Sequence, residues 1–269
     1  LIRLVKVQTT LTNSAPMGQD KTFITSAYLR TNAYKQEEEI TKKTPLQYDI
    51  IQGQTPALAK IDDTHYLCAY QGPSTSGWAV VLTVDSGSYT ISKESAFQFD
   101  SVMAATPSLA QIDSTHFLCA YRGGGLDGWS VVLNVNTGNW TISKGTSFEF
   151  DASKGMEPAL VQIDSTHYLC AYRGTGDNGW AVVLTVDTGN WTISEKTPFA
   201  FDGFCGITPA LTKIDNTHYL CAYEGQGADG WAVVLVVDSG TWTISKKTAF
   251  EYDSTNGQTP ALAQIDSTH

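Results

Sequence analysis

All five histidines of the chain lie in the string Asp-x-Thr-His, at His65, His116, His167, His218 and His269, and successive members are 51 residues apart. Five equivalent imidazoles suggest a metal centre. Positions one repeat apart in a ring, however, sit on the order of 10 Å from each other, whereas zinc takes its ligand nitrogens at about 2.0–2.1 Å. A single ion cannot collect them. The pattern predicts structural histidines bonded near the turn that carries them. Cys68, Cys119, Cys170 and Cys221 share one place in the string Leu-Cys-Ala-Tyr, and Cys205 stands alone in a connection. Equivalent positions on successive units exceed the roughly 7 Å Cα limit for a disulfide, so all five read as free thiols.

A second repeated set has the chemistry of recognition. Trp78, Trp129, Trp180 and Trp231 each follow a glycine, and Ser76, Asp127, Asn178 and Asp229 each precede it. Gln71, Arg122, Arg173 and Glu224 stand a few residues upstream, with Lys6 and Phe23 at the corresponding places near the N-terminus. An indole face beside carboxylate, amide and guanidinium groups suits a sugar ring: its C–H face stacks on the aromatic and its hydroxyls take directional hydrogen bonds. The competing reading makes each tryptophan a packing wedge and each arginine the partner of a neighbouring carboxylate. No nucleophile elbow, metal-binding histidine pair or phosphate loop occurs, so no catalytic residue, cofactor or metal is expected.

The elements that must position these residues follow from the repeat. Each unit reads as four strands: A over Thr-Pro-Ala-Leu, B over His-Tyr-Leu-Cys-Ala-Tyr, C over Trp-Ala-Val-Val-Leu, and D from Trp-Thr-Ile-Ser through Phe-x-Phe-Asp. Asp-x-Thr, a glycine-rich loop and Asp-Ser/Thr-Gly separate them. Strands B and C are almost continuously apolar, as strands covered on both faces are. The expected fold is all-β: a closed five-bladed β-propeller of four-stranded antiparallel blades in one domain over 1–269. Its regular blades are 55–100, 106–151, 157–202 and 208–253. A clasp blade joins 1–50 to 257–269, with strand A from the C-terminus and strands B to D from Leu1-Ile2-Arg3-Leu4-Val5-Lys6 onward. That clasp would remove two free sheet edges. Its extra length falls mainly between Val7 and Phe23, in its B–C loop.

Alternating strands place the D–A and B–C loops on one face and the A–B and C–D turns on the other. The turns keep one chemistry from repeat to repeat, while the D–A and B–C loops diversify, which marks their face as the candidate binding surface. The C–D turns, such as Thr185 to Thr192, resemble the Asp-box of sialidase-type propellers, one residue short between Gly and Trp; in that family the box is a structural turn. Asn139-Trp140-Thr141 and Asn190-Trp191-Thr192 also fit a glycosylation sequon.

Blade count and repeat length resemble the tachylectin-2-type propeller lectins. The resemblance implies sugar pockets between blades, and no pocket residue is carried over from it. Near-identical units suit multivalent binding of glycans or another repeated surface ligand. The alternatives are a protein-interaction or structural propeller of a larger surface protein, or a glycoside hydrolase. A hydrolase needs two unlike carboxylates, and nothing in the sequence picks out such a pair; Asp20 in the long loop is one unique acid. The net charge of −10 argues against nucleic acid or an anionic membrane as partner. No apolar run approaches the roughly 18 residues of a membrane span. A monomer in an extracellular or cell-surface setting is expected.

Overall fold

The computed structural model describes residues 44–263. They form four successive antiparallel sheets. The first holds β1 (Gln54–Lys60), β2 (His65–Gln71), β3 (Gly77–Val84), β4 (Ile91–Lys93) and β5 (Phe97–Asp100). The second holds β6 (Ala105–Gln111), β7 (His116–Arg122), β8 (Gly128–Asn136), β9 (Thr141–Lys144) and β10 (Phe148–Asp151). The third holds β11 (Met156–Gln162), β12 (His167–Arg173), β13 (Gly179–Asp187), β14 (Thr192–Glu195) and β15 (Phe199–Asp202). The fourth holds β16 (Ile207–Lys213), β17 (His218–Glu224), β18 (Gly230–Val237), β19 (Ile244–Lys246) and β20 (Phe250–Asp253). In each, the first three strands pair in order and the last two both pair with the third. The innermost strands β1, β6, β11 and β16 lie side by side in that order. This is the propeller-like arrangement expected, with one correction.

Strand D is not continuous. It is two short segments on strand C, and its leading aromatic belongs to the turn. Trp191 N–H donates to Asp187 O at 2.7 Å, and this closure holds Trp191 at φ 58°. Trp140 and Trp242 are held alike at φ 57° and 60°. Left-handed backbone is rare for a bulky residue and ends a strand.

Alternation along strands B and C sends successive side chains into the layers before and behind each sheet. Leu67, Ala69 and Val81 of the first sheet pack on Phe117, Cys119, Tyr121 and Val131 of the second. Leu118, Ala120 and Val132 of the second pack on Tyr168, Cys170 and Tyr172 of the third. Leu169 and Ala171 of the third pack on Tyr219, Cys221 and Tyr223 of the fourth. This double burial is why these strands carry almost no polar residue.

Polar latches cross the same layers. Asp100 Oδ1 accepts the N–H groups of Val102 and Met103, and its Oδ2 accepts Tyr121 O–H of the next sheet at 2.9 Å. Asp202 does the same for Phe204, Cys205 and Tyr223. Asp49, ahead of the first sheet, does so for Ile51, Gln52 and Tyr70. The segment around Asp49 thus ends as a blade ends.

The outer flanks of the four-sheet array are open among the described residues. Tyr252 is 46 % exposed, whereas its counterparts Phe99, Phe150 and Phe201 are at most 3 % exposed. Leu58 on β1 is 62 % exposed. The expected clasp blade, with Lys6, Asp20 and Phe23, falls mostly on residues 1–43 and 264–269, outside the described residues.

Candidate functional site

His65, His116 and His167 act between sheets. His116 Nδ1 lies 3.0 Å from Asp113 Oδ1 and 3.0 Å from Thr115 Oγ1. Its ring stacks on Trp191 of the next sheet, as His65 stacks on Trp140 and His167 on Trp242. Burial pushes the Asp62 carboxyl up, but the N–H groups of Thr64 and His65 and the His65 ring outweigh it and hold the carboxyl at about 2. Aspartate, histidine and tryptophan form a structural clamp on the A–B/C–D face. On that face Asn139 and Asn190 each turn their side-chain oxygen to the backbone and hydroxyl of the threonine two residues on.

The D–A/B–C face is built differently. After strand B a glycine leads into one turn of 3-10 helix, then glycine and tryptophan start strand C. Within that turn the tip residues Thr75, Leu126, Asp177 and Ala228 all have φ between 64° and 78°. Across the loop, N–H groups of the following D–A segment close on these tips: Gly155 to Leu126 O, Gly206 to Asp177 O and Gly257 to Ala228 O, each at 2.8 Å. Tips and D–A loops therefore form one continuous rim.

Trp78, Trp129, Trp180 and Trp231 all sit half-buried on this rim. Each pairs across the strands with the latch tyrosine, Trp129 with Tyr121 for example, and lies over the glycine that ends strand B. A Cβ built on Gly123 would fall 2.3 Å from Trp129 Cδ1. One edge of each indole is packed against the glycine of its own blade.

The register separates residues that the sequence grouped. Tyr121 pairs with Trp129 and Arg122 pairs with Gly128, so tryptophan and arginine leave opposite faces of their own sheet. They meet across layers instead. Trp129 packs in the layer that Leu67 and Ala69 line, which is the layer into which Gln71 points. By the same alternation Arg122 shares a layer with Trp180, and Arg173 shares one with Trp231. Gln71 is buried and Glu224 half-buried at the strand ends. Ser76 takes the Trp78 indole N–H at 2.8 Å. Asp127, Asn178 and Asp229 occupy the same place after the turn.

In the third blade Arg173 is the partner of neighbouring carboxylates, as the competing reading had it, and the structure shows which ones. Arg173 Nε donates to Asp177 Oδ1 at 2.7 Å, and Lys154 Nζ reaches the same oxygen. Arg173 Nη1 stands 3.6 Å from Glu157 Oε1, while Glu157 Oε2 accepts the N–H of Thr208. Arg173, then Lys154, hold the Asp177 carboxyl at about 2, so it stays ionised and cannot serve as a general acid at neutral pH. The signal was in the sequence: Glu157 stands where the other repeats carry Thr55, Thr106, Thr208 and Thr259. Among the described residues no three histidine, cysteine or acidic side chains are grouped as for a metal ion.

No protein-family model and no curated protein sequence matches the chain. Solved structures do resemble it in fold. A protein of Bacteroides uniformis, provisionally named a 6-phosphogluconolactonase, superposes with a TM-score of 0.55 at 12 % identity over 74 % of this chain and 57 % of its own. A hypothetical selenium-binding protein from Sulfolobus tokodaii does so with a TM-score of 0.55 at 8 % identity over 76 % of this chain and 57 % of its own. A protein from Lactobacillus plantarum gives a TM-score of 0.54 at 12 % identity over 74 % and 55 %. This chain thus spans under three-fifths of the length of each. The likeness is one of β-propeller architecture.

Proposed function

We propose that the protein is a multivalent carbohydrate-binding module that presents its sites along the D–A/B–C rim of a five-bladed ring. The observation that carries this reading is the pairing across layers: a half-buried indole of one blade shares its layer with the hydrogen-bonding strand-B terminus of the blade before it. A half-buried indole beside an amide or guanidinium suits one face of a sugar and its hydroxyls. Repetition around the ring turns weak single contacts into avidity. The fifth blade would be supplied by the residues flanking the four sheets. Asp49 binds its loop and Tyr70 as Asp100 and Asp202 bind theirs, which is how the end of such a blade would look, and the exposed Tyr252 and Leu58 lie on the two surfaces that a further blade would cover.

One observation favours a second reading. Ile51, Val102 and Phe204, at the tips of three D–A loops, are 76 %, 70 % and 82 % exposed. Apolar residues so placed suit a protein partner. A glycan array probed with the intact chain separates the two. Carbohydrate binding requires array hits that Trp129→Ala and Trp180→Ala weaken together while the circular dichroism spectrum is unchanged. A blank array at high protein density refutes it.

A further inference from the structure

The four described repeats differ from one another at every copy in only five positions: 54, 73, 75, 102 and 103 in the first, and their equivalents at 51-residue steps. All five lie where strand A starts, in the B–C turn or in the D–A loop. The scaffold is constant and one corner of each blade is individual. The corners are therefore not equivalent sites, and two of them can be compared directly because both contain an arginine at the end of strand B.

In the third blade Arg173 is neutralised from within. Its guanidinium meets Asp177 at the tip of the turn and Glu157 at the start of strand A. In the second blade the same positions hold Leu126 and Thr106. Arg122 makes no ion pair among the described residues. Its Nη2 rests 3.4 Å from Met103 Sδ, a weak acceptor. Its Nε and the Thr106 Oγ1 are both buried with no hydrogen-bond partner, and so is Nε1 of Trp180, which shares the Arg122 layer. Asp127, in the same turn, forms no ion pair with Arg122 either; its carboxylate lies against the tip at Gly125. A half-buried guanidinium without an anion is an incomplete site.

We propose that the corner of the second blade binds a carboxylate carried by the ligand. The ligand's carboxylate takes the place beside Arg122 that the Asp177 carboxylate takes beside Arg173. To receive it, the guanidinium swings off Met103 and donates to the incoming group in a charge-assisted pair. Leu126 and Met103 give the approach an apolar wall, which suits the C–H face of the same ring. The ligand class is a carboxylated sugar, of the uronic-acid type. This inference rests on the carbohydrate reading above and makes one blade selective within it.

Calorimetric titration of the intact chain with a uronic-acid-containing oligosaccharide and with its carboxyl-reduced counterpart tests it. The acidic probe is expected to bind at least tenfold more tightly than the reduced one. Arg122→Gln should remove that difference, so that both probes bind alike. Transplanting the third blade's pair, Thr106→Glu with Leu126→Asp, should remove it as well, by supplying the carboxylates internally. Equal binding of both probes, or a preference that survives Arg122→Gln, overturns the carboxylate site while leaving the carbohydrate reading in place. An acidic probe that binds through Arg122 while neutral glycans fail and the tryptophan variants have no effect keeps the carboxylate site and overturns the broader reading. Failure of both probes overturns both.

Discussion

The rings of His116 and Trp191 stack with centroids 3.5 Å apart and planes 13° from parallel, although the two residues belong to different blades. The histidine is fixed by its own turn through Asp113, and the tryptophan by the Asp187 turn that forces its positive φ. Two rigid turns thereby join one blade to the next at the face opposite the candidate binding rim. Removing the indole from this clamp is expected to destabilise the protein by about 2 kcal/mol, combining a lost aromatic pair with partial loss of burial. Urea unfolding of Trp191→Ala checks this, and the same variant should bind any rim ligand as the parent does. A variant as stable as the parent would mean that the stack contributes nothing.

The clamp also predicts acid sensitivity. Asp62 is held at about 2, and the N–H groups and ring of its turn hold Asp215 well below its ordinary 3.8. A carboxyl depressed in the folded state binds its proton more readily when unfolded, so its contribution is present above about pH 4 and is lost as the pH falls toward 2. The denaturant midpoint should therefore be flat from pH 7 to 5 and drop below pH 4. A midpoint that rises on acidification would contradict the assignment.

These two predictions show what was legible in the sequence. Strands B and C, the turn chemistry and the structural character of the histidines were, because burial on both faces leaves a continuous apolar signature and the spacing excluded a shared metal. The Trp191 partnership was not. An aromatic beside Thr-Ile-Ser reads as the head of a strand, and only the closure onto Asp187 O shows that it is a turn residue. The rim grouping was half legible. Trp129 and Arg122 were rightly placed at the same end of the blade, but a paired register alternates faces, so the neighbour of each is found across the layer. A carboxylate beside Arg173 was among the readings, but which one was not legible, because Glu157 was not noticed where the other repeats carry threonine.

The latch between Tyr121 and Asp100 should be measurable by itself. The phenol is fully buried apart from its bond to the carboxylate, and burial first, then Asp100, raises its pKa well above that of free tyrosine. Tyr121→Phe keeps the packing and deletes one hydrogen bond to a charged acceptor, which costs about 1.5–3 kcal/mol. Asp100→Ala should cost more, since Val102 and Met103 also lose their acceptor. Equal effects of the two substitutions would show that the loop cap carries no weight.

The thiols give a prediction that reads burial directly. Cys68, Cys119, Cys170 and Cys221 are at most 1 % exposed, and burial pushes the Cys68 thiol to about 11. Cys205 is half-buried on the rim, its thiol raised by burial and then by Glu224 and Asp202. Native protein treated with iodoacetamide should acquire one slow label, found at Cys205 by peptide mapping, and five after unfolding. Rapid labelling at Cys170 would contradict the packing of strand B.

The last prediction concerns how firmly the rim tryptophans are held, on which any role in binding depends. A Cβ on Gly174 would lie 2.3 Å from Trp180 Cδ1, and real contacts of that length do not exist. The backbone at Gly174, with φ −104°, would admit alanine, so the whole effect of Gly174→Ala falls on the indole. Trp180 must tilt outward or its loop must shift, at a cost of about 1–3 kcal/mol. Stability measured by urea unfolding should drop by that amount, and tryptophan fluorescence should move to the red as the indole meets water. If the indole is a sugar platform, its tilt will also weaken glycan binding at the site it shares with Arg122. A substitution that alters neither fluorescence nor stability would show that Trp180 is not packed against Gly174 in solution.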